Sequence, residues 1–245
     1  MLFRNLAFYR YPNHVEKSQR LRDLGFEIIP ELPAEMLGYG NYFMWLLTTT
    51  MFFMGLGSFC GNVEGSSKPH FINMFRRFSE MQALGHILRF FTYISTTMPG
   101  SAEHCFGEFE GMHPPKPKTL DEVFTRFALI PGNNCGDLCF SGHVYQCFLI
   151  VLLITKYVKD VLRLPPVMNT ALVIACATCA AIQLPFVTAA RNHYTVDIVV
   201  ACYTTPLLWY WHSTYWHPKD MCPCLPGYID YKHLAQKNKG DEKES

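Results

Sequence analysis

Charged residues are unevenly spaced along this chain, and the gaps between consecutive Asp, Glu, Lys and Arg side chains set its pattern. A helix that crosses a bilayer needs about 20 mostly apolar residues. Four gaps approach or exceed that length: residues 36–63, with the core FMWLLTTTMFFMGLGSF, then 138–155, 164–190 and 198–218. A fifth stretch, roughly 75–99, is as apolar but carries His86 and Arg89 within it. The pattern predicts an all-α polytopic membrane bundle with five spans, the second departing furthest from the rule. Gly, Pro and Thr inside the windows would also suit buried helices of a large soluble core, but four such windows in one chain argue against that.

Between the windows the chain divides readily. Residues 1–35 are a polar segment with Arg4, Arg10, Lys17, Arg20 and Arg22, residues 36–218 form the membrane domain, and 219–245 is a solvated tail ending KNKGDEKES. No repeat is visible, and the N-terminus lacks the continuous apolar core of a signal peptide. Lys and Arg in short loops mark the cytosolic face. Lys68, Arg76 and Arg77 precede the second window, Lys156, Lys159 and Arg163 follow the third, and Lys219 and Lys232 follow the fifth, so all share one face. The opposite face receives loop 100–137, where Glu103, Glu108, Glu110, Asp121, Glu122 and Asp137 outnumber Lys116, Lys118 and Arg126. Five crossings also place the basic N-terminal segment there, which points to an interfacial segment or to a missing first helix.

Composition narrows the partners. Of 245 residues 17% are charged and 49% hydrophobic, which excludes a disordered chain, a coiled coil and a collagen-like repeat. A net charge of +1 gives no field for nucleic acid. Several of the ten Cys lie in apolar runs and read as small hydrophobes. Cys105 and Cys135 bracket the loop and in an oxidising compartment either pair or stay free. Cys222 and Cys224, just after the last window, read as palmitoylation sites or as plain surface cysteines. A membrane bundle of this kind leaves room for a homo-oligomer.

Two polar clusters stand where windows begin: CGDLCFSGHVYQ (135–146), with His143, and ARNHYTVDIVV (190–200), with His193 and Asp197. The third window crosses and the fourth returns, so the third and fifth begin on the same face and the two histidines can meet. His193 and Asp197 share a helix face at a spacing of four. A carboxylate there holds one imidazole proton and leaves the other nitrogen as base or nucleophile. Ser141 and Gly142 either cap and turn the chain ahead of its helix or let backbone approach a phosphate. A 2-His-1-carboxylate metal site is the competing reading of His143, His193 and Asp197.

The pair CGDLCFSGH and HYTVD resembles the sphingomyelin synthase family of membrane sphingolipid synthases, a branch of the lipid phosphate phosphatase superfamily. The likeness extends to RRF at 76–78, to Arg89, Thr96 and Pro99 in RFFTYISTTMP, and to LRDLGFEIIPELP at 21–33, similar to the family's Pro-Leu-Pro-Asp segment at Leu21 and Asp23. Members have six spans with that segment after the first, so this chain looks truncated or shortened at its start. Val144 stands where SGHT would have Thr, and Arg191 is closer to the plant and protozoan inositol phosphorylceramide synthases than to animal enzymes. The resemblance implies a lipid phosphate phosphatase-like core in the Golgi or plasma membrane, its site lumenal. It implies transfer of phosphocholine, phosphoethanolamine or phosphoinositol from a glycerophospholipid to ceramide through a phosphohistidine on His193, with His143 as acid and base. Arg89 and Arg191 would hold the phosphate, and neither metal nor nucleotide is required. A lipid phosphatase or phospholipase C-type hydrolase, with water as acceptor, and a non-catalytic protein of the same fold are the alternatives.

Overall fold

The computed structural model describes residues 2–33, 35–36, 41–60, 70–108, 116–125, 135–162 and 164–216. Lys68, Glu110, Arg126, Arg163, Lys219, Lys232, Cys222, Cys224 and the tail 219–245 lie outside them. Each apolar window is a helix: α3 (Tyr42–Cys60), α4 (His70–Ser95), α6 (Gly142–Leu162), α7 (Pro166–Ala189) and α8 (Thr195–Trp211), the last continuing as a π-helical turn, His212–Trp216. Short helices α1 (Leu2–Arg10), α2 (Leu24–Ile28) and α5 (Leu120–Thr125) lie outside the windows.

α6 is the axis of the bundle, packed against α3, α4, α7 and α8. Its Val144, Cys147, Leu149, Ile150, Leu153 and Ile154 are fully buried. The outer helices turn Trp45, Phe52, Phe53, Phe91, Val167, Ile174, Val199 and Leu207 outward, the inverse of a water-soluble surface. Among the described residues α7 is the one helix long and apolar enough to cross a membrane by length and composition, and α3 contributes a shorter apolar stretch, Tyr42–Gly57. The other three windows are interrupted or shortened: α4 carries Arg76, Arg77, Glu80 and Arg89, α6 ends with Lys156 and Lys159, and α8 is 17 residues long.

The all-α expectation needs one small correction. β1 (His14–Val15) and β2 (Gly107–Glu108) pair antiparallel and join the N-terminal segment to the loop after α4. Tyr11 reinforces that joint: its buried hydroxyl accepts from Gly100 N at 2.7 Å and donates to Cys105 O at 3.3 Å, and burial raises its pKa. Lys17 pairs with Glu103 at 2.5 Å. The basic N-terminal segment thus packs on the acidic loop, and opposite charges meet there. Cys105 and Cys135 form a disulfide with Cα atoms 5.5 Å apart, so of the two alternatives the paired one is found.

The two ends of the bundle differ. At one, Arg77 stacks on Trp209 at 3.9 Å and donates to Ser213, while His212 Nε2 meets Glu80 at 3.0 Å. This ties the start of α4 to the end of α8. At the other, the end of α4 meets the starts of α6 and α8, and both polar clusters come together.

Candidate active site

The starts of α6 and α8 are joined by one side chain. Asp197 is fully buried, 0% exposed, and its Oδ2 accepts from His193 Nδ1 at 3.0 Å and from Tyr194 N at 3.2 Å. Its Oδ1 accepts from Cys139 N at 2.9 Å, and its backbone carbonyl from Ser141 N at 3.1 Å. Both loops therefore bind one residue. Cys139 reaches its bond through a left-handed conformation, φ 81°, unusual for a residue with a β-carbon.

The expectation of one helical face for His193 and Asp197 is met in spacing and corrected in form. Tyr194 is the N-cap of α8, and the side chain of Asp197, three residues on, accepts from the N-cap amide. The helix therefore starts at Thr195, and His193 stands two residues before it. Asp197 still reaches Nδ1 across that turn. A carboxylate only accepts, so Nδ1 carries the proton and Nε2 keeps its lone pair.

His143 occupies the second position of α6, after Ser141. Ser141 is the helix cap: its carbonyl accepts from Tyr145 N at 3.0 Å and its hydroxyl from Val144 N at 3.4 Å. The rings of His143 and His193 meet edge to face with centroids 5.8 Å apart. His193 is 4% exposed, and His143 is half-buried. Among the described residues no group of three or more His, Cys, Asp or Glu is disposed to hold a metal ion.

Arg89 lies across the start of α6. Its Nη2 pairs with the buried Asp137 at 2.8 Å, and a β-carbon on Gly142 would stand 2.5 Å from its Nη1. Gly142 is what lets the guanidinium lie on the helix end. Its Nε is buried and has no hydrogen-bond partner.

Arg191 behaves differently. With φ 55°, it sends Nη2 to the carbonyls of Phe26 (3.4 Å) and Ile29 (3.1 Å), lies 4.2 Å over the Phe26 ring and faces Glu31 at 3.6 Å. The guanidinium expected at a phosphate is held through Nη2 by carbonyls of the N-terminal segment, while its Nε and Nη1 are buried without a hydrogen-bond partner. Sequence reasoning did not find Asp137 as the partner of Arg89, the Cys139 amide as an anchor, or Asp23 as a neighbour of α8. Asp137 and Asp23 stood in quoted motifs, yet nothing in their spacing announced these partners.

The geometry defines a class: a helical protein in which two histidines, one oriented by a buried carboxylate, face each other, with an arginine lying on the helix start that carries one of them. Residues 134–214, which hold His143, His193 and Asp197, match the PAP2 superfamily C-terminal family model. Over most of its length the chain is similar to "Phosphatidylinositol:ceramide inositolphosphotransferase" of Oryza sativa subsp. indica, 31% identical over 189 residues, 77% of this chain and 54% of that one. It is similar to "Phosphatidylinositol:ceramide inositolphosphotransferase 2" of Arabidopsis thaliana, 30% identical over 190 residues, 77% and 58% of the two chains. Human "Sphingomyelin synthase-related protein 1" is 24% identical over 203 residues, 79% of this chain and 43% of that one. The chain spans about half the length of the curated relatives it matches. The resemblance read from SGH and HYTVD is met.

Proposed function

We propose that this protein transfers a phospho-head group from a glycerophospholipid to ceramide and releases diacylglycerol. The observation that carries this reading is the His193–Asp197 bond of 3.0 Å with His143 facing it. Nε2 of His193 attacks phosphorus, the bond to the diacylglycerol oxygen breaks, and protonated His143 donates its proton to that oxygen. Neutral His143 then takes the proton of ceramide's primary hydroxyl as that oxygen attacks phosphorus, and the phosphorus–nitrogen bond breaks to free His193. The same two groups thus serve both halves, and the proton balance closes.

Phosphate charge falls to Arg89 and the start of α6 at Ser141 and Gly142. A cation at a helix N-terminus is unfavourable by itself, because the helix dipole is already positive there. Asp137 offsets only part of it, so the place favours an anion. Arg191 takes a positioning role instead. Phosphoinositol is the head group the comparisons favour, since the more similar relatives are named for inositol transfer.

The outward apolar side chains and the segregated Lys and Arg support five crossings, with the histidines on the lumenal or exoplasmic face of the Golgi or plasma membrane. The test is incubation of the purified protein in liposomes with labelled ceramide and phosphatidylinositol, phosphatidylcholine or phosphatidylethanolamine in turn. Inositol phosphorylceramide is the expected product. Diacylglycerol released equally well without ceramide would replace the reading with a hydrolase, and no turnover of any donor would overturn it.

A further inference from the structure

One short helix grips the chain on both sides of His193. α7 ends at Ala189 and α8 begins at Thr195, so His193 rides on non-helical residues 190–194. At the start of α2, Asp23 caps its own helix by accepting from Phe26 N at 3.2 Å. The same carboxylate accepts from the Thr195 amide at 2.8 Å and the Thr195 hydroxyl at 2.6 Å. Gly25 N donates to that hydroxyl at 3.1 Å. At the end of α2, the Phe26 and Ile29 carbonyls accept from Arg191, as described above. Residues 191 and 195, two before and two after His193, are therefore bound to opposite ends of α2.

The charges suit the arrangement. Asp23 sits at the first turn of α8, where a carboxylate is favoured, and Arg191 at the last carbonyls of α2, where a guanidinium is favoured. The approach is close: any side chain at position 25 would overlap Thr195 Oγ1 and come within 2.9 Å of Thr188 Cγ2. α2 lies outside residues 134–214, so the grip is supplied from elsewhere in the chain.

We infer that α2 is a splint that fixes the position of His193, and that Asp23 is its positioning residue. Asp197 sets the direction of the imidazole, and the splint sets where its backbone stands. Displacing a reacting group by about 1 Å can cost about 10²-fold in rate. The activity part of this inference rests on the transferase reading; the structural part does not.

The test uses the full chain in liposomes with Asp23→Ala, Asp23→Asn and Thr195→Val. Expected for Asp23→Ala is a kcat lower by roughly 10- to 10²-fold with KM for both lipids little changed. Asp23→Asn, which keeps one accepting oxygen, should lose less. Carbethoxylation of His193 by diethyl pyrocarbonate, read by mass spectrometry, should accelerate severalfold while that of His143 does not. If Asp23→Ala fails to fold, Thr195→Val, which keeps the amide and loses only the hydroxyl, must show the same signs. Unchanged kcat and His193 labelling would overturn the inference, as would equal acceleration at both histidines with a lowered Tm. If the wild-type protein transfers nothing, the proposed function fails, and His193 labelling still decides the splint.

Discussion

The carboxylate of Asp197 accepts the backbone N–H of Cys139 at 2.9 Å, across 58 residues of chain, while its other oxygen holds His193 at 3.0 Å. One buried side chain therefore sets both the tautomer of a histidine and the distance between two loops. Asp197→Asn and Asp197→Ala separate the two duties. The amide can keep one accepted bond but not the right tautomer, so Asp197→Asn should stay folded and lose about 10²–10⁴ in kcat. Asp197→Ala should lose as much activity and in addition about 1–3 kcal/mol of stability, since it leaves buried donors unpaired. Rates and Tm measured side by side check this, and an active Asn variant would refute the tautomer assignment.

His193→Ala should abolish transfer and never yield a phosphohistidine. His143→Ala should stall instead, and with a donor whose leaving group needs no proton it should accumulate the acid-labile adduct on His193. Intact-protein mass spectrometry after a short incubation distinguishes the two. The double variant should be no worse than either single one, because groups acting in one transition state are non-additive.

Gly142→Ala places a carbon 2.5 Å from Arg89 Nη1 and should push the guanidinium off the helix start, at a cost in stability because the pair with buried Asp137 is loosened. KM for the donor lipid should rise about tenfold. Arg89→Lys, which keeps charge but loses the two-pronged geometry, should show the same change. A donor KM unaffected in both would remove Arg89 from the phosphate site.

The Cys105–Cys135 bridge closes a loop of 30 residues, worth about 3–4 kcal/mol by chain entropy. Replacing both cysteines by Ser should lower Tm by several degrees and loosen the joint with Tyr11, with a smaller effect on kcat. Alkylation of both thiols in unreduced, denatured protein would show that the bridge does not form.

The five windows were legible because the exclusion of charge over about 20 residues is a local property, and each became a helix. The pairing of His193 with Asp197 was legible from their spacing of four, although His193 stands on the turn before α8 and not in the helix. The meeting of His143 and His193 followed from counting windows. Other features had no periodic signature. Thr195 lies 172 residues from Asp23, Asp137 lies 48 from Arg89, and the Phe26 carbonyl that Arg191 reaches lies 165 away. A guanidinium or carboxylate in a sequence states only that it needs a partner. Which partner it has depends on which backbone groups the folded chain brings within hydrogen-bonding distance, and for Arg191 that was the end of α2. The sequence by itself therefore determined the five long helices and the residue types of the candidate site. Tertiary structure alone decided how the histidine loop is held, because hydrogen bonds form between groups close in space irrespective of their separation along the chain.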